Sequence, residues 1–98
     1  MSLLIQAEKR VSSSTHRGRL DIIADMLNAS QGGVKKTYLM YRCNLSFRQL
    51  KHYLNFMLKK RLLHMIVHVD DSNPGLFEIT DKGREFLKAY RNLKTLMK

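Results

Sequence analysis

The sequence predicts a mainly α fold with one small β-hairpin and an additional C-terminal helix. Three observations predict it. Residues 46–61, SFRQLKHYLNFMLKKR, carry a helix start, an apolar stripe and a basic face in one stretch. Two β-rich runs, LLHMIVHV and LFEIT, flank the breaker DDSNPG, which is the pattern of a hairpin. After them, Phe86, Tyr90, Leu93 and Met97 recur at the spacing of a heptad seam. At 98 residues the chain is one domain whose buried fraction is marginal, so burial against a second copy would help it.

The balance of 18 Lys plus Arg against 8 Asp plus Glu gives a formal net charge of +10, with 44% hydrophobic residues. That is a globular rather than a disordered composition. The charge favours a polyanionic partner, either nucleic acid or an anionic membrane surface. No apolar run approaches the ~20 residues of a spanning helix, so the expectation is no membrane partner. A single cysteine excludes an internal disulfide framework and fits a cytoplasmic setting.

Residues 1–16 hold an apolar patch of only Leu3, Leu4 and Ile5, too short for a secretory signal, and then the linker-like run from Ser12 to Thr15. They read as a flexible N-terminal arm or an added strand. Lys9 and Arg10 in such an arm can reach a minor groove; a frayed terminus is the plainer reading. Residues 17–30 place Leu20, Ile22, Ile23, Met26 and Leu27 at helical spacing. Asp21 and Asp25 belong to its solvated face, with Arg17 one turn before Asp21 as its ion-pair partner. Gly32 and Gly33 end this helix.

Residues 34–43 give a second, short helix, with Val34, Leu39 and Met40 at core-like spacing. Asn44 tolerates left-handed geometry, and Leu45 points inward. Cys43 reads as a small buried hydrophobe, because no base or second ligand stands beside it. Ser46 then serves as N-cap, and Gln49 completes a capping box. With ~100° of rotation per residue, Phe47, Leu50, Leu54, Met57 and Leu58 fall on the core side. Arg48, His52, Asn55 and Lys59 fall opposite, with Lys51 on the flank and no carboxylate in the stretch. An ordinary solvated helix mixes Glu with Lys; this one faces an anion.

The hairpin places Asp70 and Asp71 near its tip, beside the turn residues Asn73, Pro74 and Gly75. It would meet a duplex through His68, Ser72 or Asn73, or stay clear of it. His64 and His68 resemble a metal pair, but on a strand they stand ~13 Å apart, too far to share an ion. Thr80 caps the last helix, 81–97, with Asp81 near its positive end. Its seam of Phe86, Tyr90, Leu93 and Met97, with Leu87 and Leu96 beside it, either folds back onto the domain or pairs with a second copy. Pairing is preferred, because the other elements already supply a core.

This order of elements is a winged helix-turn-helix over residues 17–79, with residues 80–98 as dimerisation element. The run GGVKKTYLMYRCNLSFRQLKHYLNFMLKKRLL, followed by FEITDKGREFLKAY, resembles the archaeal winged-helix DNA-binding regulators, among them small chromatin-associated proteins that dimerise through a C-terminal coiled coil. The resemblance covers residues 17–91. It implies a DNA-contacting helix at residues 46–60 and a dimer helix at residues 80–98. This chain departs from the family in its short last helix and its acidic wing tip.

The expected function is sequence-specific binding of double-stranded DNA by a homodimeric, cytoplasmic, nucleoid-associated transcriptional regulator. Arg48, Lys51, His52 and Asn55 would enter the major groove, Arg48 reading guanine and Asn55 adenine. Lys35, Lys36, Arg42, Ser46, Lys59, Lys60 and Arg61 would lie on phosphates. The alternatives are a nucleoid-type architectural binder of low sequence preference and a protein-interaction module exposing Tyr53 and Phe56. No enzyme is expected, since the sequence offers no nucleophile with its base, no metal cluster and no glycine-rich phosphate loop, and no cofactor is implied.

Overall fold

A computed structural model describes residues 17–66 and 75–98. Its elements are α1 (Arg19–Ala29), α2 (Lys36–Arg42), α3 (Phe47–Lys59), β1 (Leu63–Ile66), β2 (Leu76–Ile79) and α4 (Asp81–Leu96). The Gly18 N–H donates to the Asp21 carboxylate at 3.0 Å where α1 begins, satisfying a donor that a helix start leaves free. At its other end the buried Ser30 hydroxyl donates back to the Leu27 carbonyl at 3.1 Å. The Ser30 carbonyl accepts from the Ile79 N–H at 3.1 Å, so the C-terminus of α1 is tied to β2.

Gly33, at φ +82°, uses backbone freedom that only glycine has cheaply, and it turns the chain against the sheet. Val34 and Phe77 then exchange both backbone hydrogen bonds, at 2.9 and 2.7 Å. This bridge takes Val34 out of the second helix, which therefore starts at Lys36. β1 and β2 are antiparallel, pairing Leu63 with Ile79 and Ile66 with Leu76. Leu63 and Ile79 face the core, whereas the next pair, His64 and Glu78, faces outward with Nε2 and Oε1 3.0 Å apart.

One core joins all the elements. Met26 and Leu27 of α1, Leu39 of α2, Met57 of α3, Leu63 of β1 and Ile79 of β2 are the most completely buried side chains. From α4, Gly83 and Leu87 enter this core. From Arg91 onward every α4 residue is exposed, yet these turns stay tied to α1: Arg91 donates to Asn28 Oδ1 at 3.0 Å and the Lys94 ammonium stands 3.8 Å from the Asp21 carboxylate.

Several expectations need correction. Phe47 is 64% exposed and Tyr53 only 8%. The buried face of α3 comprises Leu50, Tyr53, Leu54 and Met57, rotated by about 40° from the predicted stripe. Phe47 sits in the first turn of α3. Leu20 is likewise 51% exposed, at the first turn of α1. Arg17 precedes α1 and is not one helical turn from Asp21; it pairs with Asp25 at 2.8 Å instead. His68, Ser72 and Asn73, the candidate wing contacts, and the arm of residues 1–16 lie outside the described residues.

Candidate nucleic-acid interface

The turn between α2 and α3 is fixed by backbone geometry. Asn44 adopts φ 55°, and the Leu45 N–H reaches the Met40 carbonyl at 2.9 Å. Arg17 clamps this turn, donating to the Asn44 carbonyl at 3.2 Å while holding Asp25. Ser46 starts α3: its hydroxyl accepts from the Gln49 N–H at 3.1 Å, and its own N–H donates to Gln49 Oε1 at 3.0 Å. The predicted capping box is thus formed.

The far end of α3 is held by α4. Arg61 turns the chain at φ 62°. The Lys82 ammonium donates to the Lys60 carbonyl at 2.8 Å. The single Thr80 hydroxyl proton is shared between the Arg61 carbonyl at 2.7 Å and the Leu62 carbonyl at 3.1 Å. The same hydroxyl accepts from the Gly83 N–H at 3.0 Å, so one side chain caps α4 and pins the exit from α3.

Held at both ends, α3 presents Arg48, Lys51, His52, Asn55 and Lys59 outward, all exposed. Phe47, Lys51, Asn55 and Lys59 are four residues apart and form one ridge. Among the predicted phosphate contacts, Lys35 and Lys36 stand at the start of α2, and Ser46, Lys60 and Arg61 at the ends of α3, all exposed. Lys36, Lys51 and Asn55 come together on a groove of about 350 Å³ between α3 and the hairpin, whose apolar walls are Phe47, Leu50, Leu54, Leu58, Met65 and Phe77. Arg42 lies elsewhere, in a recess with Asp25, Asn28, Tyr38 and Cys43.

The predicted dimer residues divide into two pairs. Phe86 and Tyr90 pack half-buried against the domain core, and the Tyr90 hydroxyl donates to Asp21. Leu93 and Met97 are exposed, together with Leu96 at 81%. Leu20, Phe86, Ala89, Tyr90 and Leu93 line a shallow apolar recess between α1 and α4.

Titration behaviour follows from these contacts. The Tyr90 hydrogen bond, then that from the Gly18 N–H, holds Asp21 below the ordinary carboxylate value. Burial, reinforced by Asp21, pushes the Tyr90 phenol up to about 12. Burial also pushes the Cys43 thiol up to about 11, so at neutral pH it is a protonated core side chain. Tyr53 and Phe56 offer no exposed flank: Phe56 is partly buried, with the Arg19 guanidinium 5.6 Å over its ring. Among the described residues there is no cluster of His, Cys, Asp and Glu able to hold a metal, and no helix is long and apolar enough to cross a membrane.

The sequence profile of the winged helix-turn-helix family matches residues 16–98. The chain belongs to that family. No curated protein matches the sequence significantly. Among solved structures, the winged helix-turn-helix chain is similar to Sso10a-2, a DNA-binding protein from Sulfolobus solfataricus, with a TM-score of 0.72 and 21% identity over 83% of this chain and 82% of that one. A mutant of MepR from a multidrug-resistant S. aureus clinical isolate gives a TM-score of 0.65 at 16% identity, over 96% of this chain and 73% of that one. A second MepR mutant gives 0.63 at 14% identity, over 91% and 75%. At these identities the likeness is one of fold. The order of α2, the Asn44 turn, α3, β1 and β2 is that of a winged helix-turn-helix.

Proposed function

We propose that this protein binds double-stranded DNA sequence-specifically as a transcriptional regulator, with α3 in the major groove. The observation that carries the reading is the outward face of α3: five exposed side chains, three of them Lys or Arg, and no carboxylate, on a helix fixed at both ends. The recognition helix of a helix-turn-helix reaches base edges chiefly with its N-terminal residues. Arg48 therefore reads guanine through O6 and N7, and Asn55 suits adenine, with Lys51 and His52 beside them. Lys35, Lys36, Ser46, Lys59, Lys60 and Arg61 take phosphates and set the register; Arg42 contributes from the other side of α2. The DNA-binding character of Sso10a-2 supports the same reading.

Dimerisation is part of the proposal. Leu93, Leu96 and Met97 are exposed at the end of α4, and a second copy would cover them, extending the seam begun by Phe86 and Tyr90. A basic homodimer acting on DNA belongs in the cytoplasm, associated with the nucleoid. The test is a salt titration on a pool of random duplexes, with the bound fraction sequenced. Enrichment of a roughly palindromic motif supports a dimeric regulator. Tight, salt-sensitive binding without enrichment replaces it with an architectural role, which the net charge of +10 also suits. No binding at low salt overturns both.

A further inference from the structure

We propose that Phe47 is a specificity-determining residue of this interface and reads the C5 methyl group of a thymine. The inference rests on the placement of α3 in the major groove and deepens it. Phe47 is the first residue of α3, between the capping Ser46 and Arg48, where a recognition helix comes closest to base edges. It is a large apolar side chain left 64% exposed, although the core of the domain lies along the same helix. It gives α3 no cap, and its position on the ridge with Lys51, Asn55 and Lys59 sets it on the flank of the polar face that turns toward the hairpin.

The surroundings define what it can receive. Phe47 forms one wall of the groove against α3, with Leu50, Leu54 and Leu58 as floor and Met65, 48% exposed, on the hairpin side. Lys36, Lys51 and Asn55 also line the groove and are exposed. An occupant must offer a small apolar group flanked by negative charge and hydrogen-bonding edges. In the major groove thymine alone presents a methyl group, beside its O4 acceptor and within reach of the backbone phosphates. A phenyl ring meets that methyl without competing for the hydrogen bonds that Arg48 and Asn55 make.

The test uses the full-length protein and the duplex recovered from the random pool, with each thymine replaced in turn by uracil, which removes only the methyl group. The expected result is one thymine whose replacement weakens wild-type binding about three- to tenfold, the scale of one buried methyl. Phe47→Ala should bind that site more weakly and no longer distinguish thymine from uracil there, while Phe47→Leu keeps part of the preference. An unchanged melting temperature shows that the variants remain folded. If no thymine discriminates, or if Phe47→Ala retains the full uracil penalty, the inference is overturned while DNA binding stands. A change in oligomeric state in Phe47→Ala with discrimination unaltered also overturns it, making the groove a contact between copies. Absence of any duplex binding overturns the inference together with the reading on which it rests.

Discussion

Gly83→Ala should destabilise the protein strongly, although alanine is the better helix former. Gly83 occupies the first turn of α4 and packs where the chain leaves α3. A Cβ there would stand 2.4 Å from the Leu62 carbonyl oxygen, 2.7 Å from Ile79 Cγ1 and 3.3 Å from Leu27 Cδ2. Comfortable non-bonded contacts are about 3.5 Å or longer, so α4 or the backbone at Leu62 must move by roughly 1 Å. The Leu62 carbonyl is not free to give way, since it accepts from the Thr80 N–H at 3.1 Å and from the Thr80 hydroxyl. Overpacking costs about 1–3 kcal/mol; loosening those two hydrogen bonds adds about 1 kcal/mol each. The propensity gain of about 1 kcal/mol offsets only part. The net loss is about 2–4 kcal/mol, or some 10–25 °C in Tm for a domain of this size. Thermal melts followed by circular dichroism, with Lys88→Ala as an exposed control on the same helix, measure it. A Gly83→Ala protein that melts at or above wild type would refute the close approach of α4 to Leu62.

Further outcomes follow from the other contacts. Arg48→Ala should weaken the selected site by about 1–3 kcal/mol and relax preference at one base pair; uniform weakening across all duplexes would make Arg48 a phosphate contact. If the protein dimerises through α4 as proposed, Leu93→Lys combined with Met97→Lys should lower its mass in sedimentation from dimer to monomer without lowering its helix content; a monomeric wild type, or a dimer that the substitutions leave intact, would refute dimerisation through α4. Asp21 is held below its ordinary value of 3.8, so its contribution is present above that pH and lost as pH falls through the lower folded value. Tyr90 is raised from 10.0 to about 12, so its contribution is present below pH 10 and lost on rising toward 12. Tyr90→Phe should cost about 1 kcal/mol at neutral pH, discounted for partial exposure, and should flatten both limbs of the stability profile. Parallel wild-type and variant profiles would show that the Tyr90–Asp21 bond contributes nothing.

Where local chemistry decides, the sequence was sufficient. Ser46 and Gln49 form the capping box because both partners lie within one turn, and Asn44 takes φ 55° because its neighbours demand a tight reversal. Thr80 caps α4 for the same local reason. What escaped were features set by distant parts of the chain. Periodicity assigns Phe47 and Leu20 to the apolar stripes of their helices but cannot say that each ends up exposed at the edge of an open groove or recess. Tyr53 fills the buried side of α3 because an amphipathic ring can place its body in a core. Val34 reads as helical until Phe77 supplies a strand edge for it. Gly83 marks a close approach to Leu62 that exists only once α3 and α4 are assembled. For the interface, the one readable clue was a stretch with cations and no carboxylates; the groove beside it needs the hairpin in place.

The junction between α3 and α4 would tie the proposed recognition to the proposed assembly. The three carbonyls leaving α3, at Lys60, Arg61 and Leu62, accept hydrogen bonds from Lys82 of α4 or from Thr80, its N-cap. A helix end whose carbonyls bond to solvent can fray or swing; here those groups are committed to the next element. Asp21 and Tyr90, with Lys94 3.8 Å from the same carboxylate, fix α4 a second time against α1. Two attachments along one helix remove its freedom to pivot, so the exposed seam of Leu93, Leu96 and Met97 keeps a fixed direction relative to Arg48 and Asn55. If two copies pair through that seam, the separation and phase of their α3 helices follow from geometry within each chain. Half-site spacing is then a structural constant of the dimer, and weakening the junction, by Thr80→Val for instance, should broaden the tolerated spacing more than it changes the preferred bases. A variant that alters base preference and leaves spacing sharp would place Thr80 in the recognition surface and not in the frame that holds it.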